Sequence, residues 1–453
     1  MNVSKVYFLF LFFLLGGLVS LAFGFGYQTD ARPQIFYDSY NASIFRQLNI
    51  GFGDRFAFDF YGKNGETIWL TPIDLILEDN IANDPYYAQI AKLDVRAFKR
   101  LSRFLKRSKY LVFWIVKGWQ ETWFDLDKIQ RVMDKGYIPV FLYWYFGDEL
   151  FDMPSEEEVE LYLQDVQRVA VFLSRLNGTK LFIFEPEFNK PIIINSEEKS
   201  HIFASIISDA IDIMREYNSD MFISLCMMDT GDRNENATYP KCGYRNCALG
   251  DKYEWNKPAI VYNDLLDKLD FISFQEMVAQ FSRDPQNPGT WDNPNPKIYT
   301  DAEIGINLLP KRILNLVSFL HQKYRKPIFL PYIAIASATW HDTDGDKYID
   351  PDEFDPEGWV PKINYVYKSL RRLRPRLRRK GLFGYAPMML FDHPQHDYGG
   401  YQFFMRNEYH LGIIATSAED EIDEHLYGDI EPKGRVLRYI FSKKRSRRFL
   451  FLH

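Results

Sequence analysis

Two glutamates one residue apart, Glu185 and Glu187, close the apolar run in "KLFIFEPEFNKP" at 180–191. If a strand persists through them, they share a face, with Cα atoms about 6.6 Å apart. Carboxylates that close in a confined site do not both ionise freely, and one is driven to keep its proton. A protonated carboxylic acid beside an ionised one is the pair that cleaves a glycosidic bond. The acid protonates the leaving oxygen while its partner attacks or activates water. The purely structural alternative pairs Glu185 with a basic residue of a neighbouring strand and lets Glu187 cap a loop.

Strand-length apolar runs at 49–62, 110–116, 137–145, 180–187, 221–228, 269–276, 327–336 and 382–391 alternate with segments of helical period. One such segment, 155–176, opens with Ser155 and an acidic first turn; another spans 198–217. Nearly continuous apolar strands joined by helices make a parallel sheet covered on its outer face. Eight such units predict an α/β fold, a (β/α)8 TIM barrel with long loops, as one domain over 25–453. No glycine-rich phosphate loop follows the first strands, which argues against an open nucleotide-binding sheet.

In such a barrel the chemistry projects from the C-terminal ends of the strands. The second strand runs out into Trp119, Glu121 and Trp123, the third into Trp144, Asp148 and Glu149, and the fourth into Glu185, Glu187 and Asn189. The fifth leads to Asp229 and Asp232, the sixth to Gln275 and Glu276, the seventh to Trp340, and the eighth to "DHPQHDY" with Asp392, His393, His396 and Asp397. Carboxylates among aromatic rings are the composition of a sugar cleft, with Trp119, Trp144, Asn189, Asp229, Trp340 and His393 as candidate substrate contacts. His393 and His396 have a spacing that suits a metal, but Pro394 and the following glycines favour a loop that hydrogen-bonds sugar hydroxyls.

The strand ends "FEPEFNKP" and "KPIFLPYIAIA" resemble those of barrel-type glycoside hydrolases of the large retaining clan, nearest the endo-mannanase and related β-glycanase branch. The resemblance spans roughly residues 45–400 and implies a glycosidase acting on a poly- or oligosaccharide, with Glu187 as acid/base and Glu185 as its neighbour. The seventh strand departs from the family: it carries Pro331, Tyr332, Ala334 and Ala336 where the clan keeps a nucleophilic glutamate. Glu276, and after it Asp392, are the candidates for the missing carboxylate. Otherwise the protein inverts, or is a catalytically inactive barrel that binds or helps export a cell-surface glycan.

A net charge of −6 with interspersed signs excludes a strong field toward nucleic acid. The basic run at 368–381 has helical spacing with apolar residues on one side, and reads as a solvated helix face or a contact for anionic lipid or polymer. Residues 1–24 carry one lysine and then an apolar run from Val6, an export signal or an uncleaved membrane anchor. Either form places the body outside the cytoplasm: secreted, periplasmic or anchored. Cys226 reads as a buried thiol, while Cys242 and Cys247 could close a small disulfide.

"DTDGDKYIDPDE" at 342–353 has the oxygen-ligand spacing of an EF-hand loop: Asp342, Asp344, Asp346, the Tyr348 carbonyl, Asp350 and Glu353. These hard donors suit Ca²⁺, and Lys347 stands where the loop usually has glycine. A single loop after the seventh strand implies a structural ion beside the cleft. Chelation is expected to lower the melting temperature, and superimposable melts with and without calcium would refute it.

Overall fold

The β-branched and aromatic runs form eight parallel strands that close into a barrel. They are β1 (Asn49–Gly53), β2 (Tyr110–Val116), β3 (Ile138–Trp144), β4 (Lys180–Phe184), β5 (Met221–Met228), β6 (Ile272–Val278), β7 (Ile328–Ile335) and β8 (Leu382–Pro387). Each strand pairs with its sequence neighbour, and β1 closes the ring against β2 and β8. The fold is therefore the (β/α)8 barrel that the alternation of elements predicts. The computed structural model describes residues 43–53, 58–61, 67–70, 72–77, 95–147, 150, 152–229, 247–279, 281–283, 296–298, 302–340, 343, 354–392, 410–416 and 430–441; side chains are left out at 58–61, 67–70, 95–99, 247–250, 281–283, 296–298, 302–305, 340, 354, 416 and 430.

The outer layer is built from α1 (Val95–Leu105), α2 (Leu126–Asp134), α3 (Glu156–Leu173), α4 (Glu197–Tyr217), α5 (Ala259–Leu265), α6 (Ala302–Tyr324), α7 (Val360–Arg379) and α8 (Val436–Phe441). Ser155 and Glu158 form a reciprocal capping box at the start of α3, and Ser196 caps α4. Helix α7 holds most of the basic run and turns Ile363, Val366, Tyr367, Leu370 and Leu377 to the core. Among the described residues no helix is long and apolar enough to cross a membrane.

Of the strand boundaries that differ from the sequence expectation, two move chemistry. β4 ends at Phe184 rather than 187, because Glu185 and Glu187 adopt left-handed backbone with φ of 38° and 71°. The eighth run, expected to be continuous over 382–391, breaks after Pro387; Met389–Phe391 joins a separate three-stranded sheet with Gly412–Thr416 and Ile430–Pro432.

A third irregularity lies inside β7. Pro331 has no N–H to donate, and the pairing of β7 shifts register there against both β6 and β8. Phe329 and Tyr332, three residues apart, consequently both belong to the barrel interior, while Leu330 and Ile333 pack against the helices.

Aromatic rings fill the lower barrel. Phe383 lies 5.0 Å from Phe329 and 5.4 Å from Phe271, and Phe45, from the 3-10 turn Ser43–Arg46, seals the bottom at 4.8 Å from Phe383. Gly384 makes room for this layer: a Cβ there would lie 2.2 Å from Phe329 and 2.7 Å from Tyr110. Gly384→Ala is expected to destabilise the protein by about 1–3 kcal/mol, as overpacking does. Urea denaturation would measure the loss, and an unchanged midpoint would contradict this packing.

Candidate active site at the barrel mouth

The fourth strand delivers its carboxylates through a turn. The Glu185 N–H donates to Tyr143 O at 2.8 Å and the Glu187 N–H to Cys226 O at 3.0 Å, which ties the turn to β3 and β5. Asn189 fastens the next segment to the Met228 peptide, accepting from its N–H at 2.7 Å and donating to its carbonyl at 3.0 Å. Two non-glycine residues in left-handed backbone each cost roughly 1–2 kcal/mol, and these contacts hold them there.

The turn separates the two glutamates. Glu187 turns inward, where its Oε1 accepts from Gln275 Nε2 at 2.8 Å and from the Tyr332 hydroxyl at 3.4 Å. Its Oε2 accepts from Lys190 Nζ at 3.3 Å. Tyr332 arrives through the Pro331 irregularity and lies 4.9 Å from the Trp114 ring, which in turn meets Trp144 edge-on at 5.9 Å. A buried carboxylate, one ammonium, an amide and an aromatic wall thus meet at the C-terminal ends of β2, β3, β4, β6 and β7.

Glu185 lies in the outer layer, beneath the β3 exit. Its oxygens accept from the Tyr145 and Phe146 N–H groups at 3.3 and 3.2 Å, among Tyr143 and Tyr162. Burial pushes its carboxyl up from 4.5 to about 8, against the lowering influence of those N–H groups and the Tyr162 hydroxyl. The shared-face expectation for the pair is overturned, because the left-handed turn breaks the two-residue alternation.

Glu276 and Asp392 are also placed away from Glu187. On β6, Gln275 faces inward, so Glu276 faces the helices, fully buried within the field of Arg312 from α6. Arg312 donates to both oxygens of Asp229 at 2.9 Å and to both of Asp251 at 2.8 Å, and Trp255 Nε1 donates to Asp229 at 2.7 Å. Burial alone would lower the guanidinium, but Asp229, Asp251 and Glu276 reverse this and hold it above its ordinary value. Asp392 follows the satellite sheet, where Lys433 Nζ at 2.7 Å and the Gly412 N–H at 2.8 Å donate to its Oδ1.

The expected sugar contacts divide in the same way. Trp144 stands at the mouth, half-buried. Trp119 does not: it is fully buried in the outer layer, donating to Asp165 at 3.2 Å with Arg168 over its ring at 4.3 Å. Asn189 and Asp229 are engaged with the Met228 peptide and Arg312. His393 and the side chain of Trp340 lie outside the described residues, as do Asp148, Glu149, Asp232, His396 and Asp397.

Asp342, Asp344, Asp346, Tyr348, Asp350 and Glu353 lie outside the described residues too. The residues flanking that loop are described: Thr339 and Trp340 pair antiparallel with Asp355 and Phe354. Cys226 is buried with a free thiol; Cys242 and the Cys247 side chain lie outside the described residues.

Lys190, Tyr332 and Trp114 are the mouth residues that strand-end reading missed. Lys190 follows Glu187 by three, and Pro331 within an apolar strand was the available signal that Tyr332 changes face.

No protein-family model and no curated relative matches this chain. Among solved structures it is similar to a family 1 β-glucosidase from Thermotoga maritima, at 12% identity and a TM-score of 0.43 over 75% of this chain and 86% of that one. It is also similar to an exo-β-1,4-mannosidase from an Opitutaceae bacterium, at 11% identity and TM-score 0.42 over 87% of this chain and 59% of that one. A GH10 endoxylanase from a sugarcane soil metagenome gives 11% identity and TM-score 0.41 over 89% and 98%.

Glu185 makes stability depend on pH. Between 4.5 and about 8 the folded state holds a proton that the unfolded chain has released, so stability falls as pH rises through this window and levels off above it. Denaturant midpoints should decline from pH 5 to 8. Glu185→Gln should flatten most of that decline and exceed the parent's midpoint at pH 8; an equally steep decline in the variant would exclude this origin.

Proposed function

We propose that the protein is an exported glycoside hydrolase that cleaves a poly- or oligosaccharide at the mouth of the barrel, with Glu187 at the reacting centre. The observation that carries this reading is the convergence of Gln275, Tyr332 and Lys190 on the buried Glu187 carboxylate, beside the Trp114–Trp144 wall. A carboxylate at a strand end beside aromatic faces can act on a sugar whose rings lie against those faces.

The donors refine the role that family resemblance assigns to Glu187. An ionised carboxylate accepts from every donor offered, and an ammonium at 3.3 Å favours that form over the protonated one. Glu187 therefore suits the nucleophile, or the base that takes a proton from water, better than the proton donor. Its partner then comes from outside the described residues, where Asp148, Glu149, Asp232 and Asp397 follow strand ends in the sequence.

Calcium binding at 342–353 belongs to the same reading. It is supported by the spacing of the oxygen ligands and by the antiparallel pairing of the residues that flank them, Thr339 and Trp340 with Asp355 and Phe354. The ion would fix a long loop after β7.

A second reading, a barrel that binds a glycan without cutting it, is favoured by the engagement of Glu185, Glu276 and Asp392 away from the mouth. Glu187→Gln distinguishes the two. On a panel of aryl glycosides and polysaccharides, hydrolysis should fall by roughly 10²–10⁴-fold or more while glycan binding persists. The loss should be as deep on substrates with activated aryl leaving groups. Survival of those substrates alone would make Glu187 the proton donor, and unchanged hydrolysis would end its catalytic assignment.

A further inference from the structure

The pole opposite the mouth carries a charge asymmetry that the proposed reaction does not use. In a closed parallel barrel all strand N-termini lie at one end, so the approaches to β7, β8, β1 and β2 are consecutive around one half of that end. These approaches are residues 323–327, 376–381, 43–49 and 103–109. Together they hold twelve Lys or Arg and no Asp or Glu, in a chain whose net charge is −6. Arg46, Arg107, Arg325, Arg378, Arg379 and Lys380 are exposed there. Around the other half, the approach to β4 carries Arg175 and no acid, while those to β3, β5 and β6 carry Asp134, Glu216, Asp220 and Asp267 among their basic residues.

Cations at helix C-termini answer the helix dipole, and one or two satisfy it. The end of α7 exceeds that need with Arg376, Arg378 and Arg379, followed at once by Lys380. Residues 43–49 add Arg46 where no helix of dipolar length ends. The chain also enters the barrel at this pole, since Phe45 seals its bottom, and the apolar run from Val6 to Gly24 precedes that entry in the sequence.

We propose that this basic half-pole docks on an anionic membrane surface, leaving the mouth facing away from the bilayer. Clustered Lys and Arg are what a negatively charged leaflet attracts, and a basic cluster in a chain that also carries an apolar run supplies two weak attachments, which together anchor more firmly than either alone. A soluble polyanion would be drawn to the charge but would gain nothing from the apolar run, which favours lipid as the partner.

The test uses the full chain and vesicles of phosphatidylcholine, either pure or with about 30% phosphatidylglycerol. Binding should be about tenfold or more tighter to the anionic vesicles at about 0.1 M salt, and this excess should shrink at about 0.5 M. The triple variant Arg378→Gln, Arg379→Gln, Lys380→Gln should lose much of the excess while keeping its binding to neutral vesicles. Equal binding to both vesicle types, an excess insensitive to salt, or a folded triple variant with the excess intact would each overturn the proposal. Preference for soluble heparin without preference for anionic vesicles would also overturn it. If the variant fails to fold, the salt response of the unaltered chain still decides.

Discussion

Where β4 stops determines what the mouth contains. Had the strand continued past Phe184, Glu185 and Glu187 would have faced the axis together, as two like charges in a confined space. The left-handed backbone at both residues instead sends one carboxylate outward among tyrosines and the other inward to Gln275, Tyr332 and Lys190. The strained turn is held by hydrogen bonds to β3 and β5 and by Asn189 on the Met228 peptide. The same feature that stores conformational energy therefore also sorts the acids by environment.

Buried charge outside the mouth is matched locally. Arg312 binds two carboxylates through both arms of its guanidinium while Glu276 adds to the field around it. Asp392 is met by the buried Lys433, whose ammonium burial draws downward while Asp392 opposes the shift. Removing one member of such a cluster typically costs about 3–5 kcal/mol, because its partner is left charged and dry. These acids, attractive in sequence as catalytic candidates, are structural ties between strands, helices and the satellite sheet.

The barrel was legible because alternation of buried strands with amphipathic helices is a long-range pattern, robust to errors at element ends. The run at 110–116 coincides with β2 and that at 221–228 with β5. The site was less legible because it depends on element ends. One residue of strand more or less reverses a side chain, and Pro186, lying between the glutamates, gave no residue-level measure of the turn. Trp119 shows the same limit, since a tryptophan just past a strand end can as readily fold back under a helix as line a cleft. Lys190 and Tyr332 escaped for another reason: one is a loop cation and the other had its facing set by an irregularity in its own strand.

That irregularity also bears on how the barrel assembles. Strands in a parallel barrel are nearly equivalent under a slip of two residues, since such a slip preserves which side chains face inward. Pro331 removes this equivalence in β7: a slipped alignment would set its missing donor opposite a carbonyl elsewhere along β6 or β8 and move the offset that both neighbours accommodate. One imino acid thus acts as an alignment key, making the correct closure of eight strands distinguishable from its near-copies.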